Sequence, residues 1–238
     1  MFYFLLPSLM TYNYILLAAA VIPALFLMVK VYRWDRLERE QPYMLWSLVR
    51  AGVLSSLIAL VSERVLGTLL DETVSDGGMY QILLYFVVVA FSEEGAKYFM
   101  LRRSSWNSRE FNCQYDGVVY AVFVSLGFAL WENISYVMHY GFSTAIIRSV
   151  TAIPGHTCFG VFMGVFYGIA RKYANQGNQE KSRTHRFLAV LVPALLHGAY
   201  DYIASTQTSA WNFMGFIVAM FALSYSTVVR SAKQDRYI

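Results

Sequence analysis

Glu93, Glu94 and Lys97 stand inside an apolar run that reaches from Met79 to Leu101. A second run holds Glu132 and Asn133, a third His156, and a fourth His197 and Asp201. An ionisable side chain at the middle of a bilayer costs at least about 2.5–3.5 kcal/mol on insertion scales, so each needs a partner or a task. A shared polar cavity accounts for all of them more economically than separate accidents. At about 100° per residue Glu93 and Glu94 point apart, and Lys97, one turn on, lies at an angle between them. The lysine can therefore pair with either carboxylate and leave the other for chemistry; the competing reading is a neutralised structural ion pair. His197 and Asp201, four residues apart, face one direction. That spacing suits an aspartate orienting a histidine, two ligands of one metal, or a tertiary hydrogen bond. His156 by itself is more often a packing residue than a catalyst and gains meaning only from the combination. Carboxylates and imidazoles around a water are the usual groups for general acid–base hydrolysis.

Positioning these residues requires helices that cross a membrane. The chain has 238 residues, 57% of them hydrophobic and 14% charged, against about 45–50% and about 25% in a soluble domain. That excludes disorder and argues against a soluble globule. The apolar residues fall in blocks near the ~20 residues that cross a ~30 Å hydrocarbon layer. Seven can be drawn: Tyr12 to Val31, Tyr43 to Val61, Met79 to Leu101, Gly117 to Met138, Phe142 to Ala170, Phe187 to Ser205 and Trp211 to Val229. The fifth is too long for one plain crossing. Proline favours the first turn of a helix, so a new helix is expected to start at Pro154, after a short interfacial or re-entrant helix over Phe142 to Ile153. The expected fold is all-α: one polytopic membrane domain over residues 1–238, with its catalytic core at about residues 80–205.

All of the 19 lysines and arginines except Arg50, Arg64, Lys97 and Arg148 fall in the first, third and fifth loops and the tail. Cytoplasmic loops retain such residues, so the N-terminus is expected outside and the C-terminus in the cytoplasm. The net charge of +4 does not indicate a nucleic-acid partner, because the basic residues are split among short loops. No lysine or arginine precedes Lys30, so the first span reads as retained rather than as a cleaved signal peptide. Cys113 and Cys158 form no CxxC and argue for neither a disulfide nor a cysteine zinc site. Counted at about 1.5 Å per residue from the basic ends, the polar residues lie about 13 to 23 Å into the core, central to outer in depth.

Two rows of small residues repeat every fourth position: Gly117, Ala121, Ser125 and Ala129, leading to Asn133, and Gly160, Gly164 and Gly168, following His156. Close helix packing in lipid uses such rows, and they would hold Asn133 and His156 on inward faces.

Four stretches resemble a known family. Ser92-Glu93-Glu94-Gly95-Ala96-Lys97, Gly127-Phe128-Ala129-Leu130-Trp131-Glu132-Asn133, His156-Thr157-Cys158-Phe159-Gly160 and His197-Gly198-Ala199-Tyr200-Asp201 are similar to the motifs of the PrsW family of bacterial intramembrane proteases. That family is related to the CAAX-prenyl protease and bacteriocin-processing group. The likeness runs in order through the core; the first two spans and the last carry little of it. It implies an intramembrane endopeptidase of the bacterial cytoplasmic membrane acting on a membrane-anchored protein, with an anti-sigma factor in site-1 proteolysis as the associated substrate. Glu93 and Glu94 match the Glu-Glu motif, His156 the middle histidine, and His197 with Asp201 the final pair. Asp201 replaces an Asn common in the wider group, and Lys97 an Arg one place later. Both departures bring the chain nearer to PrsW. They also leave the role of Asp201 open, since a carboxylate cannot donate to an oxyanion unless protonated.

The mechanism this implies has a glutamate, Glu93 or Glu94, deprotonating a water held also by His156. His197 stabilises the oxyanion or protonates the leaving amine. Glu94 and Lys97 set the charge when Glu93 is the base, Asp201 orients His197, and Glu132 with Asn133 lines the substrate cleft. No metal or other cofactor is required. Zinc between the acids and histidines is the enzymatic alternative, although there is no HExxH helix. A GxSxG serine motif is missing, and no GxGD accompanies Tyr115-Asp116 or Tyr200-Asp201. A proton-coupled transporter would also use Glu and His relays, but repeated halves and matched helix breaks are not found. The expected partners are a membrane-anchored protein substrate and the lipid bilayer.

Overall fold

The computed structural model describes residues 2–35, 37–206 and 209–238, with side chains from residue 11 onward. Arg36, one of the first-loop basic residues, lies outside the described residues. The helices are α1 (Phe2–Trp34), α2 (Pro42–Thr73), α3 (Gly77–Leu83), a π-helical stretch (Leu84–Phe91), α4 (Ser92–Ser105), α5 (Asp116–Tyr140), α6 (Phe142–Val150), α7 (Ala152–Asn175), α8 (Gln179–Ser205) and α9 (Ala210–Lys233). Their boundaries have local causes. Pro42 opens α2, where its missing N–H has no role. The Asp76 carboxylate accepts from the Met79 amide at 2.7 Å to start α3, and the Asn178 side chain accepts from Lys181 N at 3.0 Å to start α8. Gly141, at φ +84°, ends α5 and turns the chain into α6, a conformation that glycine adopts without penalty.

Among the described residues, six helical stretches are long and apolar enough to cross a membrane: Thr11–Trp34, Pro42–Thr73, Asp116–Tyr140, Phe142–Asn175, Gln179–Ser205 and Ala210–Lys233. The expected third span falls on α3, the π stretch and α4, which run on without a break beside α2 and α8. The π-helical middle divides it into pieces of 7, 8 and 14 residues, each too short to cross a membrane alone. Two expected boundaries move. The helix after the short α6 starts at Ala152 rather than Pro154, leaving the proline in the first turn, where it is tolerated. The second span continues from Val61 to Thr73, because Ser62-Glu63-Arg64 raises polarity without supplying a helix breaker.

The centre of the bundle is α5, buried from Asp116 to Ala129 and packed on α1, α2, α4, α6 and α7. The two small-residue rows meet face to face. A Cβ added at Gly164 would overlap the carbonyl of Gly117 and the backbone of Val118, and one at Gly160 would press on Val122 and Ser125 at 3.0 Å. A second close crossing, invisible as a sequence row, joins Gly52 of α2 to the backbone of Val124 and Phe128, and Gly127 of α5 to the backbone of Val49. Beyond the helices, the basic loops converge on one end. Asn112 reaches Glu38 at 3.2 Å, Gln114 N donates to Arg236 O at 3.0 Å, and Ile238 N donates to Asn112 O at 2.8 Å. Cys113 and Cys158 are free and buried.

Candidate active site

The π stretch ends where Ser92-Glu93-Glu94 begins; widened turns of this kind are frequent at functional sites. Glycine at position 198 lets α8 lie directly on it, since a Cβ there would come within 2.6 Å of the Phe86 ring. His197, the preceding residue, thereby reaches α4. Ser125 Oγ donates to the His156 carbonyl at 2.7 Å and ties the first turn of α7 to α5.

At the centre sits the Lys97 ammonium, with no solvent exposure. Its Nζ lies 3.0 Å from Glu93 Oε2, 2.7 Å from Glu94 Oε1 and 3.2 Å from His156 Nδ1, and 4.0 Å above the centre of the Phe128 ring. Three donors therefore meet three acceptors, so His156 presents Nδ1 as an acceptor and carries its proton on Nε2. That nitrogen faces Glu132 Oε2 at 2.8 Å, which also accepts from Arg148 Nη2 at 2.9 Å. His197 directs Nδ1 to Glu94 Oε1 at 3.0 Å and Nε2 to Asp201 Oδ2 at 3.4 Å. Its ring stacks on Phe159 with centroids 4.6 Å apart and lies 5.5 Å from the His156 ring.

The two glutamates differ in setting. Glu94 is wholly buried, whereas Glu93 is 7% exposed and borders a cavity of about 470 Å³ with Glu63, Glu132, Arg148, His197 and Asp201. A smaller cavity of about 280 Å³ shares Glu132, Arg148, His197 and Asp201 and adds His156. Together they form a polar recess among apolar helices.

The structure brings together Glu93, Glu94, Lys97, Glu132, His156, His197 and Asp201. It departs from the sequence reading in two places. Lys97 binds both carboxylates at once instead of choosing one. Asn133 does not line the cleft: it is fully buried, donates to Ala20 O at 2.8 Å and accepts from Arg148 Nε at 2.8 Å, so it anchors the arginine from behind. Glu63 was missed. Ser56, Leu60 and Glu63 line the larger cavity at i, i+4 and i+7 of α2, a spacing that would have shown had the span been carried past Val61. Asp116, sixteen residues before Glu132 on the same helix, is about 24 Å away at ~1.5 Å per residue and takes no part.

A soluble hydrolase has no need to hold its acids and imidazoles among helices this apolar; the class of protein that does is the intramembrane protease. A family model described as PrsW family intramembrane metalloprotease matches residues 40–226, and the chain belongs to that family, a peptidase of the membrane interior. Protease PrsW of Clostridioides difficile (strain 630) is 34% identical over 208 residues, 86% of this chain and 84% of that protein. Protease PrsW of Bacillus subtilis (strain 168) is 30% identical over 224 residues, 94% and 96% of the two chains. The Halalkalibacterium halodurans protein of the same name is 32% identical over 226 residues, 93% and 99%. No solved structure matches.

The family description raises the question of a metal. Glu93, Glu94 and His156 offer donor atoms that all lie within 4.8 Å of one another, and carboxylates with imidazole are normal zinc ligands. The position those atoms share, however, is filled by the Lys97 ammonium, hydrogen-bonded to all three. In this arrangement the set holds a covalently tethered cation and does not also fit a metal ion.

Proposed function

We propose that the chain cleaves a membrane-anchored protein by a glutamate-activated water, with Glu93 as general base. The observation that carries this is the unequal setting of the pair: Glu94 is sealed in, its Oε1 shared by Lys97 and His197, while Glu93 faces the cavity. A base must come within about 2.6–3.2 Å of the water it deprotonates, and Glu93 is the glutamate of the pair with that access. Lys97 holds its carboxylate in place. His197 turns Nε2 toward the cavity, where an N–H can donate to the oxyanion and then pass its proton to the leaving amine. Glu94 fixes that ring through Nδ1, and Asp201 flanks Nε2. His156 has both nitrogens engaged by Lys97 and Glu132, so it positions these two groups instead of gripping the water directly. Glu132 and Arg148 border the path of the substrate.

The substrate class carried over from the family resemblance is a membrane-anchored anti-sigma factor cut at site 1, in a bacterial cytoplasmic membrane. The basic loops gathered at one end support an N-terminus outside and a C-terminus in the cytoplasm. Family membership leaves the transporter reading without support. The test is cleavage of a membrane-tethered reporter at matched expression. Glu93→Gln should lose at least about 100-fold in rate, the usual contribution of a general base, and near wild-type cutting by this variant would sink the assignment.

The family description favours one second reading, a zinc enzyme in which Lys97 gives way to the metal. Phenanthroline treatment and metal analysis of the purified protein decide between them. Activity that survives chelation supports the glutamate–water reading; loss restored by zinc overturns it.

A further inference from the structure

Far from the catalytic cluster, where the basic loops converge, three carboxylates are buried together. Asp35 follows α1, Glu40 precedes α2, and Asp116 opens α5. Their side chains offer oxygens that all lie within 4.8 Å of one another. Oxygen ligands sit about 2.0–2.6 Å from calcium or magnesium, which puts neighbouring donors about 3 to 5 Å apart. The spacing is that of ligands around one ion.

Acid clusters alone prove little, but the hydrogen-bonding pattern is independent of the spacing. Both carboxylate oxygens of Asp35 are buried without a well-formed hydrogen bond, the Glu38 amide lying close by, and Glu40 Oε2, Asp116 Oδ1 and, from the tail, Asp235 Oδ2 are buried in the same way. Asp35 and Asp116 are each only 1% exposed. The hydroxyl of Tyr120, on a fully buried side chain, faces Glu40 from α5. The other oxygen of Asp116 is already held, accepting from the amides of Asn112 at 3.0 Å and Cys113 at 2.6 Å, so the carboxylate is aimed by the backbone. Among the described residues no lysine or arginine lies within ion-pair distance of Asp35, Glu40 or Asp116. A buried charge without a partner is strongly unfavourable. The catalytic acids meet that demand with Lys97, and among the described residues no lysine or arginine forms an ion pair with this cluster.

We propose that Asp35, Glu40 and Asp116 form a binding site for one divalent cation of the calcium–magnesium class, with Tyr120 beside it. The all-oxygen, all-carboxylate donor set selects a hard cation. The ion ties the end of α1, the start of α2 and the start of α5 to one point, next to the tail residue Asp235. This site is separate from the protease centre and does not depend on how that centre works. A proton shared between Glu40 and Asp116 is the rival means of relieving the repulsion.

The test uses the full chain in detergent, stripped of metal by chelation and then titrated with terbium, whose luminescence Trp34 and Tyr120 can sensitise. Saturable luminescence, displaced by calcium or magnesium, is expected for wild type and for Glu93→Gln. It should weaken at least about tenfold, on the scale of metal-site lesions, in Asp35→Asn and in Glu40→Gln. Calcium or magnesium should raise the Tm of wild type in a concentration-dependent manner, as ligands of the folded form do, and leave Asp35→Asn unmoved. Terbium binding equal in wild type and Asp35→Asn overturns the proposal. So does a wild-type Tm indifferent to both cations while Asp35→Asn is more stable than wild type in chelator, the outcome that a shared proton requires.

Discussion

Lys97 donates to Glu93, Glu94 and the His156 ring from a position sealed from solvent, and its removal would leave two carboxylates facing each other in an apolar bundle. Breaking a buried pair from one side costs about 3–5 kcal/mol. Lys97→Met should therefore lower the Tm in detergent strongly. Adding Glu93→Gln and Glu94→Gln to it should restore most of the stability and none of the activity. A Lys97→Met protein as stable as wild type would show that the ammonium does not hold the pair. At this scale the sequence was highly legible, because charge in an apolar run is expensive and the spacing of Glu93, Glu94 and Lys97 on one helix fixes their angles. What could not be read was the third bond of Lys97, to His156 of α7, since nothing local sets the distance between two helices. The Asp35, Glu40 and Asp116 cluster escaped for a different reason. Acids near span ends read as solvated loop residues, and only the folded chain shows them buried.

At the scale of elements, the row glycines touch backbone, whereas a glycine outside the rows can touch nothing. Gly164 lies against the backbone of Gly117 and Val118, whereas Gly95 of α4 has open space around it. Gly164→Leu should disrupt the α5–α7 pair by more than the about 1–3 kcal/mol of ordinary overpacking, seen as loss of monodisperse protein in detergent. Gly95→Ala should be neutral or gain about 0.4–1 kcal/mol from a less flexible unfolded chain. Equal effects of the two would mean that the rows are compositional only. The α5 and α7 rows were readable because each repeats every fourth residue. The Gly52–Gly127 crossing was not, because neither glycine has another glycine at four-residue spacing to make a glycine row. Span ends fared worst: hydropathy stops at Val61, while the hydrogen-bonded helix goes on to Thr73.

At the scale of the molecule, the last residues close the basic end. Cys113 pairs with Tyr237 in an isolated antiparallel bridge. Burial pushes its thiol well above the ordinary range, with the nearby Asp116 and Asp235 adding to the effect. A raised thiol has less of the reactive thiolate at neutral pH, so native protein at pH 7.5 should resist maleimide at Cys113. Removing residues 235–238 uncovers the thiol and takes away Asp235. Both changes lower its pKa, and labelling should become fast, read by mass spectrometry of the labelled peptide. Rapid labelling of the intact chain would argue that the tail does not cover this end.

The π-helical stretch from Leu84 to Phe91 works as a spacer whose tolerance is rotational. Each residue inserted or deleted there would turn Glu93, Glu94 and Lys97 by about 100° relative to the part of the rod before it. A length change that a surface loop would absorb unnoticed would here swing the acids out of reach of both imidazoles. Homologous chains that keep the chemistry should therefore hold the residue count of this segment more strictly than the identity of its side chains.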